Sequence, residues 1–343
     1  MNQVLNTLFI TNQGTYLHLE SDTVRVELER ETKLKVPLLH LGSIVCFGNV
    51  SLSPALIGRC AADGRSVVLL DRNGRFSARI EGPVSGNVLL RRAQHAALSD
   101  ELRTGEIARG FVAGKIQNSR HTLLRSARDS DDPQAAGVLR AAATLIGGSM
   151  AYVRQAESID QLRGYEGDAA RMYFGVFTWM VRADREMFGF NGRNRRPPLD
   201  RMNSLLSFLY TLLRADCAAA LEGVGLDPQV GYLHALRPGR PALALDLMEE
   251  LRPVVADRLA LTLVNRKQLS ADDFQERPGG SILLRDDARK TVITAYQNRK
   301  QEEVTHQFLG RRIPVGLIPH IQARLLARHL RGDLEHYPPF LSK

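Results

Sequence analysis

SVVLLDRNGRFSARIEGPVSGNVLLRRAQHAAL, running from Ser66 to Leu98, changes periodicity partway along. Ser66 to Leu70 and Phe76 to Ile80 are short runs of apolar and alternating residues, joined by Asp71-Arg72-Asn73-Gly74, whose Asn-Gly pair suits a tight turn. Gly82-Pro83 then punctuates the chain, and from about Leu89 the apolar residues recur every three or four positions, the spacing of one helix face. Toward the N-terminus the strand texture persists to Val4, through Leu8-Phe9-Ile10, Tyr16 to Leu19, Thr23 to Leu28 and Ser43 to Phe47. Turns this close together predict a mostly antiparallel β domain, interrupted by one short helix near Pro54 to Ala62, which Pro54 opens and Gly64 follows. Toward the C-terminus the spacing predicts helices over Leu89 to Leu98, Thr104 to Arg125, Pro133 to Arg154, Glu166 to Asp184, Asp200 to Leu221 and Ala242 to Val264. The charged tail from Ser281 to Lys343 continues helical in pattern. The expected fold class is therefore α+β in two domains. Residues 1–85 form a small, sandwich-like antiparallel β domain, and residues 86–343 a larger all-α domain.

The chain has 343 residues, 44% of them hydrophobic, which is enough for two packed cores. Lys and Arg outnumber Asp and Glu by 46 to 37, a formal charge of +9, which suits a polyanionic partner without specifying one. The basic residues of the tail, Arg311, Arg312, Arg324, Arg328 and Arg331, read most simply as a solvated helix surface. Cys46, Cys60 and Cys217 are odd in number, far apart and outside any CxxC pair, so neither a disulfide framework nor a zinc ribbon follows. Met1 to Thr11 lacks the pattern of a secretion signal, and no apolar run of membrane-spanning length stands out; a cytoplasmic protein without membrane association is expected. Asp129, Asp131 and Asp132 resemble a calcium loop only superficially, since the glycine and terminal glutamate of such a loop are missing. Ser149 lacks the second glycine of a nucleophile elbow, and there is no P-loop, dinucleotide fingerprint or HExxH, which speaks against serine hydrolases and nucleotide-dependent enzymes.

Three places put acidic or imidazole groups where burial is expected. Gly164-Tyr165-Glu166-Gly167 opens the helix predicted from Glu166, and Glu166 falls on the apolar stripe continued by Ala169, Ala170, Tyr173 and Phe177. A carboxylate there must be paired, protonated or bound to a metal, unless it serves only as an N-terminal helix charge. Tyr232-Leu233-His234-Ala235-Leu236 sets an imidazole in an apolar, helical-looking stretch, where a satisfied core histidine is the simpler alternative. In Leu245-Asp246-Leu247-Met248-Glu249-Glu250-Leu251-Arg252-Pro253, Asp246 shares a helix face with Glu249 at three residues and with Glu250 at four. A cation would relieve that repulsion, although surface helices often carry such pairs. Two carboxylates and an imidazole in one cleft would suit Mn²⁺ or Mg²⁺. Such an ion can lower the pKa of a hydroxyl nucleophile and offset the charge developing on a phosphodiester.

Four stretches, in order and spacing, resemble the CRISPR-associated adaptation endonuclease and integrase, the Cas-one family, over nearly the whole chain. They are Lys115-Ile116-Gln117-Asn118-Ser119-Arg120 before Leu123-Leu124-Arg125; Gly164 to Gly167; Arg195-Arg196-Pro197-Pro198-Leu199-Asp200-Arg201-Met202-Asn203-Ser204-Leu205-Leu206-Ser207; and His234 followed by Leu245 to Pro253. The resemblance implies a β domain followed by a helical catalytic domain, and a metal site formed by Glu166, His234 and Glu249. Spacing leaves Glu249 and Glu250 equivalent; only the resemblance selects Glu249. It further implies that Asp246 is an auxiliary acid beside the metal and that Asn203 supports the site. Arg196, Arg237 and Arg240, near the candidate ligands in sequence, are candidate phosphate contacts, with surface salt bridges as the plainer reading.

The implied reaction is direct transesterification, in which the 3′-hydroxyl of a captured DNA fragment attacks the border of a repeat in a CRISPR array. The implied partners are DNA, a second copy in a homodimer and a smaller second adaptation protein. The C-terminal tail resembles the type I-C branch. Two readings compete: a non-catalytic DNA-binding module of the same architecture, and a metal-dependent phosphohydrolase acting on small metabolites. The latter would show little salt-dependent DNA affinity.

Overall fold

A computed structural model of the protein describes residues 6–72, 76–80, 82, 88–194 and 197–342. It divides into two compact units, Met1–Gly86 and Asn87–Lys343.

The first unit contains β1 (Asn6–Ile10), β2 (Thr15–Glu20), β3 (Thr23–Leu28), β4 (Glu31–Pro37), β5 (Leu41–Phe47), β6 (Val50–Leu52), α1 (Pro54–Ala62), β7 (Ser66–Leu70) and β8 (Phe76–Ile80). They form two four-stranded sheets, ordered β1-β5-β7-β8 and β4-β3-β2-β6. The pairing is not mostly antiparallel as expected: β1 with β5, β5 with β7 and β2 with β6 run parallel. Turn spacing reports where strands end but not which strands meet; here α1 lies on the connection that returns the chain to place β7 beside β5. β5 is buried along nearly its whole length, as a strand flanked by parallel neighbours should be. β4 carries exposed Glu31, Lys33 and Lys35 along one edge, which discourages pairing with another chain. Leu17, Val24, Leu38, Ile44, Leu56 and Val67 meet in the core. α1 starts as the sequence implies, with Ser53 accepting the Leu56 N–H and Pro54 in the first turn.

The second unit is mostly helical: α2 (Val88–Leu98), α3 (Glu101–Arg128), α4 (Pro133–Gln155), α5 (Ile159–Gly175), α6 (Arg201–Gly223), α7 (Ala242–Glu249) and α8 (Arg258–Asn265). After these come β9 (Phe274–Arg277), β10 (Ser281–Leu284), α9 (Asp286–Gln301), β11 (Glu303–His306), β12 (Arg311–Pro314) and α10 (Ile318–Leu330). The tail is thus not wholly helical. β9 and β10 pair around Pro278-Gly279-Gly280, with both glycines at positive φ, and β11 and β12 form a second hairpin. α4 and α6 are long and apolar enough to cross a membrane by length and composition, contrary to the expectation that no run has this character. The apolar window of α6 is 61% buried inside the unit. The aspartate-rich segment before α4 is a linker whose last member, Asp132, caps α4 by accepting the N–H groups of Gln134 and Ala135.

Two boundaries differ from expectation and matter for the site. α5 begins at Ile159, because Ser158 accepts the Gln161 N–H while the Gln161 side chain accepts the Glu157 N–H. Glu166 therefore sits in the body of the helix and is not a charge at its N-terminus. The single helix expected from Ala242 to Val264 is broken between α7 and α8 by a π-helical turn, Arg252–Asp257. Pro253 supplies no N–H to the helical ladder at that point.

Candidate metal centre

α3 carries a buried stripe, Ala108, Phe111, Lys115, Asn118 and Thr122, spaced by three and four residues. This stripe faces inward, so Lys115 is buried with its ammonium group among acids. The ammonium forms an ion pair with Glu166 of α5 and lies 2.6 Å from Glu249 Oε2 at the end of α7. Arg252, on the π-helical turn, approaches Glu249 Oε1 at 3.0 Å, and its guanidinium stacks on the Tyr210 ring of α6 at 4.9 Å. His234 Nε2 stands 3.7 Å from the same Glu249 oxygen. Elements distant in sequence thus bring Glu166, His234 and Glu249 together.

His234 is not on a helix. Residues 231–236 form a loop wrapped over Asp246, whose Oδ2 accepts the N–H groups of Tyr232 (2.6 Å) and Leu233 (3.0 Å). Oδ1 accepts the His234 N–H at 2.9 Å and bonds His234 Nδ1 at 2.6 Å. Asp246 is fully buried, and these donors occupy both of its oxygens. It therefore stands behind the imidazole and orients it, rather than facing the Glu166–Glu249 cluster. With Nδ1 engaged by the carboxylate, Nε2 is the ring nitrogen turned toward Glu249, the orientation in which a histidine held by a carboxylate presents its second nitrogen to a metal. Gly231 permits the wrap: a Cβ there would lie 2.6 Å from the Ala242 backbone and 2.8 Å from Asp246 Oδ2.

Glu249 and Glu250, equivalent by spacing, face different surroundings. Glu250 accepts from Tyr337 Oη (2.6 Å), the Phe340 N–H (2.7 Å) and Gln322 Nε2 (3.1 Å), tying α7 to the C-terminal segment. Burial pushes the Glu250 carboxyl up to about 7 against the pull of those donors. Burial opposes the charge on Glu249 too, but Arg252, Lys115 and His234 outweigh it and hold the carboxyl down at about 2. Burial also works against the Lys115 ammonium, yet Glu249 and Glu166 raise its pKa, so it stays charged. The cluster is thus two carboxylates held around a positive charge in a buried setting.

This donor set fits a hard divalent cation: two carboxylates and an imidazole supply oxygen and nitrogen donors, and the buried Glu249 Oε2 already faces a cation, the Lys115 ammonium, at 2.6 Å. Among the described residues, however, no three His, Cys, Asp or Glu side chains stand close enough to hold an ion together as they are; Lys115 is interposed. Lys115 and Arg252 were the residues that motif reading passed over. Both lay in quoted stretches, and the helical stripe through Ala108 and Thr122 was the signal for Lys115.

Asn203 does not touch the cluster. Its side chain bonds Asp200, the Gly192 carbonyl and the Arg193 guanidinium, fixing the loop before α6. Arg193 stacks on Tyr210 at 5.2 Å, the ring that Arg252 also stacks on, so Asn203 is connected to Arg252 through that ring. Arg237 is exposed and Arg240 half-buried on the segment after His234, while Arg196 lies outside the described residues. A cavity of about 510 Å³ opens at His234, between the first turns of α3 and α5 and residues 231–236.

The family described as "CRISPR associated protein Cas1" matches residues 8–298. The chain is 57% identical over 341 residues to the CRISPR-associated endonuclease Cas1 1 of Moorella thermoacetica, covering 99% of both chains. It is 52% identical over 347 residues to a Cas1 endonuclease of Rhodospirillum rubrum, covering 100% of both. Among solved structures, a Cas1 protein from Thermotoga maritima superposes with a TM-score of 0.81 at 24% identity, over 95% of this chain and 97% of that one. A casposase bound to integration product superposes with a TM-score of 0.82 at 23% identity, over 97% and 93%. Those two likenesses speak to the fold, whereas the sequence matches, nearly end to end and above half identical, speak to descent. The chain belongs to the Cas1 family of CRISPR-associated endonucleases and integrases.

Proposed function

We propose that this chain is the integrase of CRISPR adaptation, joining the 3′-hydroxyl of a captured DNA fragment to the repeat border of an array by metal-dependent strand transfer. The observation that carries the reading is that Lys115 links Glu166 to Glu249 while His234 stands beside the same Glu249, in a member of the Cas1 family. Glu166, His234 and Glu249 would hold Mn²⁺ or Mg²⁺, which would polarise the phosphodiester and favour ionisation of the attacking hydroxyl. Asp246 orients the His234 ring. Arg252, held between Glu249 and Tyr210, keeps a guanidinium beside the reacting centre. Arg237 and Arg240 extend positive charge past His234 and would position DNA phosphates without reading bases, with Arg196 as a third candidate.

A homodimer acting with a smaller second adaptation protein is the proposed assembly. Its support is the likeness to a Cas6-RT-Cas1–Cas2 complex, TM-score 0.83 at 23% identity, in which this chain covers 36% of the matched chain. The type I-C branch and a cytoplasmic setting complete the proposal.

The test is strand transfer of a labelled duplex into a supercoiled plasmid carrying its repeat array, with the second adaptation protein and Mn²⁺ or Mg²⁺. Joined product from wild type and none from Glu166→Ala is the expected result. Equal joining by both proteins would remove Glu166 from the site. Intact DNA binding with no joining by either would favour the non-catalytic DNA-binding module.

A further inference from the structure

The C-terminal turns of α3 and the start of α8 enclose a second concentration of positive charge, outside the cluster of Glu166, His234 and Glu249. A pocket of about 340 Å³ is lined by Arg125, Arg128, Arg140 and Arg258 together with Thr122 and Ser342. A smaller pocket of about 140 Å³ shares Thr122, Arg125 and Arg258 with it and adds Arg182 and Arg266. The two make one groove with six guanidinium groups along it. Two acids act on them: Asp129, which is 3.8 Å from Arg125, is half exposed, and gives its main-chain carbonyl to Arg182 at 2.5 Å, and Glu302, which is itself paired with Arg299.

Arg258 is the unusual member. It is only partly exposed, and among the described residues no carboxylate stands within ion-pair distance of it. Burial first, and then the like charges of Arg299 and Arg125, push its guanidinium down to about 10. A half-buried guanidinium beside two others, which Glu302 and Asp129 attract only from beyond ion-pair distance, costs stability, and a fold keeps such an arrangement where an anion completes it. The planar forks of several arginines suit phosphate oxygens in particular.

We infer that this groove is a second phosphate-binding site, which grips the backbone of the DNA strand at a distance from the reacting phosphodiester. The identity of the ligand rests on the DNA-joining reading above; the site itself rests on the groove. Arg125 follows Lys115 by ten residues on one helix, a rise of about 15 Å. One strand of duplex covers that rise in about four nucleotides. The groove therefore fixes the direction in which a strand leaves the cluster, and it contributes affinity without contributing chemistry.

The test is duplex binding by the full-length protein in EDTA, followed by fluorescence anisotropy across a salt series, so that the metal cluster plays no part. Arg258→Gln and the Arg125→Gln/Arg258→Gln pair are compared with wild type and with Arg331→Gln, an exposed arginine paired to Asp333 elsewhere. The expected result is about tenfold weaker binding for the pair, with the slope of log affinity against log salt shallower by about 1 to 2, since each lost phosphate contact removes about 0.9. Arg331→Gln should match wild type. Arg258→Met should keep or raise the thermal midpoint while losing DNA affinity, because an unpaired buried charge has been removed; a merely structural arginine would lower the midpoint. Wild-type slope and affinity in the pair would overturn the inference. Protection of wild type alone by inorganic phosphate, with DNA binding unchanged in the pair, would reassign the groove to a free anion and also overturn it. Failure of the wild type to bind duplex at all would sink the DNA-joining reading itself, and the groove's ligand with it.

Discussion

Asp246 accepts three consecutive main-chain N–H groups and bonds the His234 imidazole, so one buried carboxylate sets both a loop and the orientation of a ring. In Asp246→Asn the amide would present N–H to donors that need an acceptor, leaving buried N–H groups unpaired. The expected outcome is a lower melting temperature together with Mn²⁺ binding weakened about 10- to 100-fold, read by calorimetry. Unchanged Mn²⁺ affinity would mean that the orientation of His234 is irrelevant to the ion. Asp257 gives a pH signature elsewhere. It accepts from Tyr173 Oη at 3.1 Å and Tyr210 Oη at 2.6 Å, and burial, only partly offset by those hydroxyls, pushes its carboxyl from 3.8 up to about 6. Because the folded pKa is the higher one, the contribution of Asp257 is fully present below pH 3.8 and is lost as pH rises through 6. Relative to wild type, Asp257→Asn should gain about 3 kcal/mol between pH 4 and 7 in denaturant unfolding, and a pH-independent difference would contradict this. At this scale sequence reading found the acids and the histidine but not their counter-charge. Lys115 is separated from Glu166 and Glu249 by whole helices, and only the fold reveals which charges meet.

The elements around the cluster depend on close approach. Gly231 lets the His234 loop lie against the start of α7, so Gly231→Ala should destabilise by about 1 to 3 kcal/mol and weaken Mn²⁺ binding in parallel. Gly164 and Gly167 flank Glu166 on α5, and an added Cβ would meet nothing within 4 Å at either. Gly167→Ala should therefore raise stability by about 0.5 to 1 kcal/mol, as measured by chemical denaturation; destabilisation would show that the position is more constrained than its surroundings indicate. Helical periodicity located α2, α3, α4 and α6 to within a few residues, because each buries a regular stripe. It failed where tertiary hydrogen bonds override periodicity. Tyr232 to Leu236 looked helical, yet its N–H groups go to Asp246, and Pro253 replaced one expected helix with two joined by a π-helical turn. The start of α5 was within reach, since Ser158 and Gln161 have capping-box spacing that the apolar run beyond Glu166 obscured.

Over the whole chain, the loss of strand texture after Gly82-Pro83 anticipated a β unit followed by a helical one. Composition could not anticipate that half of the first unit's strand pairings are parallel, because pairing partners are selected by chain crossings and core packing. Nor could spacing separate Glu249 from Glu250. The fold turns the first toward Lys115 and Arg252 and the second toward Tyr337, Phe340 and Gln322. That divergence allows a direct test of the proposed metal centre, in which Mn²⁺ is titrated into the protein and the free ion is followed by electron paramagnetic resonance. Wild type and Glu250→Gln should bind one ion with similar affinity, while Glu166→Gln and Glu249→Gln should bind at least about a hundredfold more weakly, as loss of a charged ligand in a buried site requires. Wild-type affinity in Glu249→Gln, or its loss in a folded Glu250→Gln alone, would contradict the assignment of Glu166, His234 and Glu249 as the ion's ligands.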